Sequence, residues 1–217
     1  MVKVYGDEYS GNCFKVKLLL AQLHQPHEWV HVNILEQATR SPAFLAKNPN
    51  GKIPLLERDD GVLLAESNAI LHYLAEGSAY LPTDRLLHAQ VLQWMFFEQY
   101  SHEPHIATAR YIVRYLGRPP EKEPLLQQKM APGYQALDVM EQHLKARLFF
   151  VNGRYSIADI ALYAYTHVAH EGGFDLAKYP LVRAWIDRVK AQPGYVEMGD
   201  VPRIETAKAA SIAAVAS

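Results

Sequence analysis

The chain of 217 residues is long enough for one large domain or two small ones, and its 49% hydrophobic and 21% charged residues argue against intrinsic disorder and a coiled coil. With 22 basic and 23 acidic residues the formal net charge is -1, which gives no electrostatic reason to expect nucleic acid or an anionic membrane as a partner. Because Cys13 is the single cysteine and the start MVKVYGDEY lacks the layout of a signal peptide, we expect a cytoplasmic protein without an internal disulfide.

The N-terminal part of the chain alternates short strand and helix patterns. Helical apolar spacing follows the polar turn at residues 7–12, and the Asp-Asp-Gly turn at residues 59–61 separates two apolar runs, which indicates a hairpin. The order β-α-β, a linking segment and β-β-α would bury a small mixed sheet under helices. The predicted strands cover residues 2–5, 29–33, 53–57 and 62–65, and the predicted helices cover residues 13–23 and 68–75.

From residue 84 onward the sequence carries apolar side chains at nearly every helical turn and shows no strand-like alternation. The predicted helices lie within residues 84–116, 121–147, 156–170 and 180–191, and Pro104 should kink or break the first of them. We therefore expect a fold of the α/β plus all-α class. Its parts are an α/β domain at residues 1–77, a linker at 78–83, an all-helical domain at 84–206 and an Ala-rich tail at 207–217.

The loop before the first helix carries Ser10 and Asn12 next to Cys13. A helix N-terminus offers unpaired N–H groups that stabilise an anion, and a serine hydroxyl placed there can donate to a thiolate. The structural alternative is that Ser10 or Asn12 only caps the helix. Both interpretations remain open from these residues alone.

Two further segments carry polar groups at the boundaries of predicted elements. Ile53–Pro54 precedes a strand, where a cis proline is tolerated and the backbone of Ile53 could pair with an extended ligand. Ser67 follows a strand and opens a helix, so its hydroxyl and N–H could bind a carboxylate while Glu66 accepts from an ammonium. Each segment is a weak signal alone, and their order and spacing are much more specific.

Together these segments resemble the cytosolic glutathione transferases, whose N-terminal domain has a thioredoxin-like fold. The matching runs are SGNCFKVKLLLAQL, NPNGKIPLLE and AESNAILHYLAE. Within the helical half, NGRYSIAD is similar to the family's capping box, in which Ser156 caps a core helix and Asp159 reaches back from the third helical position. The loop at Ser10 and Asn12 is similar to those of the bacterial serine-using and Nu classes.

The resemblance implies a glutathione site and a thiol-activating pair. Lys52 would face the glycine carboxylate, the backbone of Ile53 beside Pro54 would pair with the cysteinyl unit, and Glu66 and Ser67 would hold the γ-glutamyl ammonium and carboxylate. Thr39 or Arg40 would take the place of an upstream contact. Ser10 or Asn12 would donate to the sulfur, whereas Cys13 is interpreted as a buried apolar residue rather than a nucleophile.

A second substrate should lie between the domains, against aromatic and basic residues. The candidates are Tyr9, Phe97, Tyr100, His102, Arg110 and Tyr111. The histidine pairs at 102 and 105 and at 167 and 170 lack a third ligand, so we expect no metal site.

The resemblance implies a glutathione transferase that attacks small hydrophobic electrophiles, with glutathione as co-substrate. A glutathione-dependent disulfide reductase and a non-catalytic glutathione-binding module are the alternatives. The resemblance also implies a homodimer, in which Glu98, Gln99 or His102 of the partner helix would reach glutathione.

Overall fold

The computed structural model describes residues 1–199, and in its N-terminal half a mixed sheet of four strands carries helices. The strand order is β2-β1-β3-β4, with β1 parallel to β2 and the other neighbours antiparallel. This confirms the predicted mixed sheet and hairpin. The elements are β1 (Val2–Gly6), α1 (Gly11–Gln22), β2 (His27–His31), α2 (Pro42–Lys47), β3 (Leu55–Glu57), β4 (Leu63–Ala65) and α3 (Ser67–Ala75).

The C-terminal half is helical, as predicted. Its first helical region changes from α to π geometry and back, and α5 begins immediately before Pro104, whose missing N–H falls in the first turn of that helix. The predicted break at Pro104 is therefore a change from π to α geometry at the start of α5. The helices are α4 (Arg85–Phe97), α5 (Glu103–Arg110), α6 (Glu123–Leu144), α7 (Ile157–Thr166) and α8 (Pro180–Lys190), with π-helical segments at Glu98–His102 and Tyr111–Tyr115.

Sequence analysis missed α2, which lies in the segment interpreted as a link. Ser41 caps this helix by accepting from the N–H of Phe44 at 3.3 Å, and Pro42 occupies its first turn. The serine–proline pair was a usable start signal, but six residues are too few to show helical periodicity. The strand β2 also lies two residues earlier than the predicted range, at His27–His31.

The two halves share one continuous hydrophobic core centred on α7, whose residues are all buried. The predicted capping contact at its start is confirmed, because Asp159 Oδ2 accepts from the N–H of Ser156 at 3.0 Å. The segment predicted as a linker is pinned to α7, since the N–H of Ile157 donates to the carbonyl of Tyr80 at 3.0 Å. The boundaries at 77 and 84 stay a prediction, and the Ala-rich tail lies outside the described residues.

Within residues 1–199 no helix is both long enough and apolar enough to cross a bilayer.

Candidate functional site

A cavity of about 80 Å³ lies where the N-termini of α1 and α3 meet the loop before β3 and the junction of α4 with α5. Both halves of the chain contribute to its wall. Six of the predicted site residues line it. Asn48 and Glu103 were missed, and Gln99 was expected only from the helix of a partner chain. The lining residues are Asn12, Asn48, Lys52, Ile53, Pro54, Glu66, Ser67, Gln99 and Glu103.

The N-terminus of α1 presents the side chain of Asn12 to this cavity. Asn12 Nδ2 donates to Glu103 Oε1 at 3.2 Å, and Asn12 Oδ1 accepts from the hydroxyl of Ser67 at 3.2 Å. These two contacts fix the amide so that its nitrogen faces the helical half. The second N–H of the amide remains available to a ligand.

Ser10 is the N-cap of α1 and is not among the residues lining the cavity. Its Oγ accepts from the N–H of Cys13 at 3.5 Å, a contact that leaves the hydroxyl hydrogen for another acceptor. The predicted capping role is therefore present and is compatible with donation to a sulfur atom. Gly11, next in the chain, lies so close to Tyr165 that an added Cβ would sit 2.6 Å from its ring.

The loop before β3 presents Lys52 and a cis peptide bond between Ile53 and Pro54. Asn48 holds this loop, because its Nδ2 donates to the carbonyl of Lys52 at 2.8 Å and its Oδ1 accepts from the N–H of Asn50 at 3.2 Å. Pro54 has no N–H to donate to a neighbouring strand, which explains why β3 begins at Leu55 instead of the predicted residue 53. The exposed cation Lys52 therefore stands on a braced loop.

The start of α3 combines a strained residue with a buried one. Glu66 has a φ of 70° and is exposed, and a non-glycine residue pays about 1–3 kcal/mol for such backbone geometry. Ser67 follows at the first position of α3 and is 4% exposed. The turn places the Glu66 carboxylate and the N-terminus of α3 at one wall of the cavity.

Behind Ser67 lies a buried ion pair that sequence analysis missed. Lys15 Nζ and Glu98 Oε1 are 2.9 Å apart, and both side chains are 0% exposed. Burial raises the pKa of the Glu98 carboxyl, and the Lys15 ammonium acts in the opposite direction. The one available signal was a lysine among the apolar positions of the first helix, and that signal does not identify its partner.

Two predicted contacts, Thr39 and Arg40, lie beside the cavity rather than in its wall. Thr39 is buried, and Arg40 is exposed and donates from Nη1 to the carbonyl of Asn50 at 3.4 Å. The contact braces the loop that carries Lys52. Their role as ligand contacts stays a prediction.

Two of the predicted second-substrate residues are corrected by the structure. His102 is 0% exposed, pairs through Nε2 with Thr166 Oγ1 at 2.9 Å, and has its pKa lowered to about 3 by burial. Arg110 is 2% exposed and bonds to Glu171 at 2.6 Å and to the carbonyl of Tyr9 at 2.9 Å. Both side chains are buried in the core, so neither can line a substrate pocket. The same burial corrects the expectation that Glu98 or His102 reaches into a partner's site.

The aromatic candidates do not converge on the cavity either. Phe97 and Tyr100 line a different cavity, of about 330 Å³, between α4 and α6. Tyr111 is 44% exposed and its ring contacts that of Tyr115, with centroids 5.4 Å apart. Tyr9 is half-buried in the loop before α1, beside Ser10.

Cys13 is packed in the core at 0% exposure, and burial raises the pKa of its thiol to about 12. A thiol in that environment is neutral at physiological pH and does not act as a nucleophile. Among residues 1–199 no three His, Cys, Asp or Glu side chains are grouped as metal ligands would be.

Comparison with family models matches both halves of the chain. Residues 4–79 match the model described as glutathione S-transferase, N-terminal domain, and residues 93–193 match the model described as glutathione S-transferase, C-terminal domain. Among curated relatives, glutathione S-transferase F13 of Arabidopsis thaliana is 29% identical over 91% of this chain and 94% of its own length. The disulfide-bond oxidoreductase YfcG of Escherichia coli K12 is 27% identical over 85% of this chain and 88% of its own. Elongation factor 1-gamma of Danio rerio is 35% identical over 78% of this chain and 38% of its own.

Solved structures give the same picture. A glutathione S-transferase from Pseudomonas fluorescens Pf-5 is 58% identical, with a TM-score of 0.90 over 92% of this chain and 99% of that chain. A glutathione transferase from Pseudomonas putida, solved with one glutathione disulfide bound per subunit, is 26% identical, with a TM-score of 0.79 over 89% of this chain and 88% of that chain.

Proposed function

Because the chain belongs to the glutathione S-transferase family, we propose that it binds glutathione in the cavity at Asn12, Lys52 and Ser67 and activates its thiol for attack on small hydrophobic electrophiles. The observation that carries this proposal is the convergence of the loop with Lys52, Ile53 and Pro54 and of two helix N-termini on one cavity. That arrangement suits a short extended peptide with a carboxylate at each end.

Each part of glutathione has a counterpart in the wall. Lys52 is exposed and faces the glycine carboxylate, while the backbone at Ile53 pairs with the cysteinyl unit. The carboxylate of Glu66 accepts from the γ-glutamyl ammonium, and Ser67 with the N-terminus of α3 donates to the γ-glutamyl carboxylate. Arg40 holds the Lys52 loop through Asn50, and of Thr39 and Arg40 it is the one with an exposed side chain.

Thiol activation requires a pKa shift of about two units from ~8.5, which corresponds to about 2.7 kcal/mol. One hydrogen bond to the thiolate supplies about 1.5–3 kcal/mol, and the N-terminus of α1 about 0.3–1 kcal/mol. Asn12 lines the cavity and has a free N–H. Ser10, two residues earlier in the chain, has a free hydroxyl hydrogen. We assign Asn12 as the main donor and Ser10 as its support, because Asn12 is the one in the wall.

Titration of the thiolate absorbance of bound glutathione tests this assignment. In the wild-type protein the thiol pKa should lie well below ~8.5, and Asn12→Ala should raise it by about one to two units. Ser10→Ala should produce the smaller change. An unchanged pKa in Asn12→Ala together with a raised pKa in Ser10→Ala would reverse the two roles. Absence of glutathione binding by calorimetry would overturn the proposal as a whole.

A glutathione-dependent disulfide reductase is the second candidate function. It is favoured by the similarity to YfcG and to the Pseudomonas putida structure that holds glutathione disulfide. Since Cys13 is buried and neutral, the attacking thiolate must belong to glutathione. It forms a mixed disulfide and expels one substrate thiolate, and a second glutathione then releases the other thiol and leaves glutathione disulfide.

Parallel assays with an aromatic halide and a small dialkyl disulfide separate these candidates. Conjugation in excess of disulfide reduction supports the transferase, and the reverse supports the reductase. Glutathione binding with neither activity would identify a non-catalytic module, a possibility raised by the partial match to elongation factor 1-gamma.

We also propose that the protein is a cytoplasmic homodimer whose interface includes exposed aromatic residues of the helical half. Phe96 is 69% exposed and Tyr100 is 86% exposed, at the end of α4 and just after it. Phe96 and Tyr100 are four residues apart in the chain, and large exposed rings are typical of a surface that a second copy covers. Sedimentation of the wild type should give a dimer, and Phe96→Asp with Tyr100→Asp should shift it toward the monomer.

A further inference from the structure

The buried ammonium of Lys15 is close to three side-chain oxygens and has no contact with solvent. Its Nζ lies 2.9 Å from Glu98 Oε1, 3.3 Å from Ser67 Oγ and 3.4 Å from Asn68 Oδ1. Asn68 is itself fixed, because its Nδ2 donates to Glu98 Oε2 at 3.1 Å and to the carbonyl of Met95 at 3.1 Å. The Lys15 ammonium thus donates hydrogen bonds to Ser67 and Asn68 and is ion-paired with Glu98.

This arrangement determines the direction of the Ser67 hydroxyl. An ammonium can only donate, so Ser67 Oγ must accept on the side of Lys15, and its single hydrogen must point elsewhere. The structure gives that hydrogen to Asn12 Oδ1, 3.2 Å away, and both residues line the cavity. The hydrogen is thereby kept on the cavity side, where an arriving acceptor would take it over from Asn12 Oδ1.

Because the cavity wall at Ser67 offers a hydrogen-bond donor, it favours a ligand group that accepts hydrogen bonds. If the proposed function holds, the group that arrives at Ser67 is the γ-glutamyl carboxylate of glutathione, which accepts and does not donate at neutral pH. We infer that Lys15 is a positioning residue of this carboxylate subsite: by holding Ser67 as a donor, it sets the preference for a carboxylate without touching the ligand. The inference rests on the proposed function and adds to it a residue from the buried side of the site.

The test compares two ligands and two forms of the buried pair. The ligands are glutathione and γ-aminobutyryl-cysteinylglycine, which keeps the amine and thiol but lacks the carboxylate. The variant Lys15→Met with Glu98→Met removes both charges at once, because an unpaired buried charge would destabilise the fold by itself. Lys17→Met, on the same helix and outside this network, is the matched control.

Calorimetry should show that the wild type binds glutathione more tightly than the analogue. In the double variant the ratio of the two Kd values should fall by about tenfold, which is the size expected for one misdirected hydrogen bond to a charged group. The Lys17→Met control should keep the full preference. A purely structural Lys15 would weaken both ligands equally, so an unchanged preference in a folded double variant would overturn the inference. A wild type that binds neither ligand would instead refute the proposed function.

A measurement on the wild type covers the case in which the double variant does not fold. In protein labelled with nitrogen isotope at lysine, the buried ammonium of Lys15 is protected from exchange and its resonance can be followed. Glutathione should shift that resonance strongly and the analogue should leave it nearly in place. Equal shifts with both ligands would contradict the inference.

Discussion

The strongest effect on stability is expected at Asp159, in the middle of the core. Its Oδ1 accepts from the N–H of Phe150 at 3.1 Å and from Trp185 Nε1 at 3.0 Å. Its Oδ2 accepts from the N–H and the hydroxyl of Ser156 at 3.0 and 3.1 Å. One buried carboxylate thus satisfies four donors that belong to three separate parts of the helical half. Asp159→Asn keeps the shape but turns an NH₂ group toward two of those donors.

The magnitude follows from those two donors. Each buried donor left without an acceptor costs about 1–3 kcal/mol, so we expect Asp159→Asn to lower the free energy of unfolding by about 3 kcal/mol. For a chain of this size about 1 kcal/mol corresponds to about 2–4 °C, which predicts a fall in Tm of about 6–12 °C. Thermal melts and urea unfolding with an unchanged slope would measure it.

Asp187→Asn is the matched control, since Asp187 is an exposed carboxylate on α8. It should change the free energy of unfolding by less than about 0.5 kcal/mol. If Asp159→Asn lowered the free energy of unfolding by less than about 1 kcal/mol, an amide would serve the four donors nearly as well as the carboxylate. That result would refute the reasoning from unsatisfied donors.

The thiol of Cys13, with its pKa raised to about 12 by burial, should react with iodoacetamide only in denaturant; rapid labelling of the native protein at pH 8 would contradict its placement. Burial lowers the folded pKa of His102 to about 3 from its unfolded ~6.5, so its contribution to stability is complete above pH ~6.5 and is lost as the pH falls toward 3. His102→Gln should make unfolding less steeply dependent on pH between ~6.5 and ~4, and an unchanged slope in urea titrations would exclude this histidine as a cause. Glu66→Gly should relieve the backbone strain at this position and so offset the entropy cost of glycine, which keeps the free energy of unfolding within about 1 kcal/mol of the wild type. The affinity for glutathione should fall, because the Glu66 carboxylate is lost. A large loss of stability without a loss of affinity would show that the turn has no cost in the wild type.

The sequence was sufficient for the elements whose signals are local. Alternation and helical spacing located β1, the hairpin and the long helices, and the serine and acid at 156 and 159 predicted the start of α7. The six cavity residues were found because they belong to motifs whose spacing the family shares. The sequence could not predict which positions of α5 and of the segment before it are buried. His102 and Arg110 were interpreted as cleft residues, because a polar side chain on an apolar helix does not show which neighbour is its hydrogen-bond partner.

Three residues that the helical half contributes at the site lie far along the chain from the N-terminal motifs. Glu103 was missed, and Glu98 and Gln99 were expected only from the helix of a partner chain. Helical periodicity cannot show that the same turn offers Glu103 to Asn12 and Glu98 to Lys15, because those pairings depend on how the two halves pack. Lys15 was likewise visible only as a charged residue in an apolar stretch.

The contact between Lys15 and Glu98 restricts how such chains can be recombined. A chimera that joined residues 1–83 of this protein to the helical half of a relative without an acid at the equivalent of Glu98 would bury an ammonium with no counter-charge. The reverse exchange would bury a carboxylate alone. Because the same ammonium also bonds to Ser67, the defect would be felt in the cavity as well as in the fold. The two residues should therefore be inherited as a unit, and a library of exchanged halves that included and omitted the pair would show the difference in yield of folded protein.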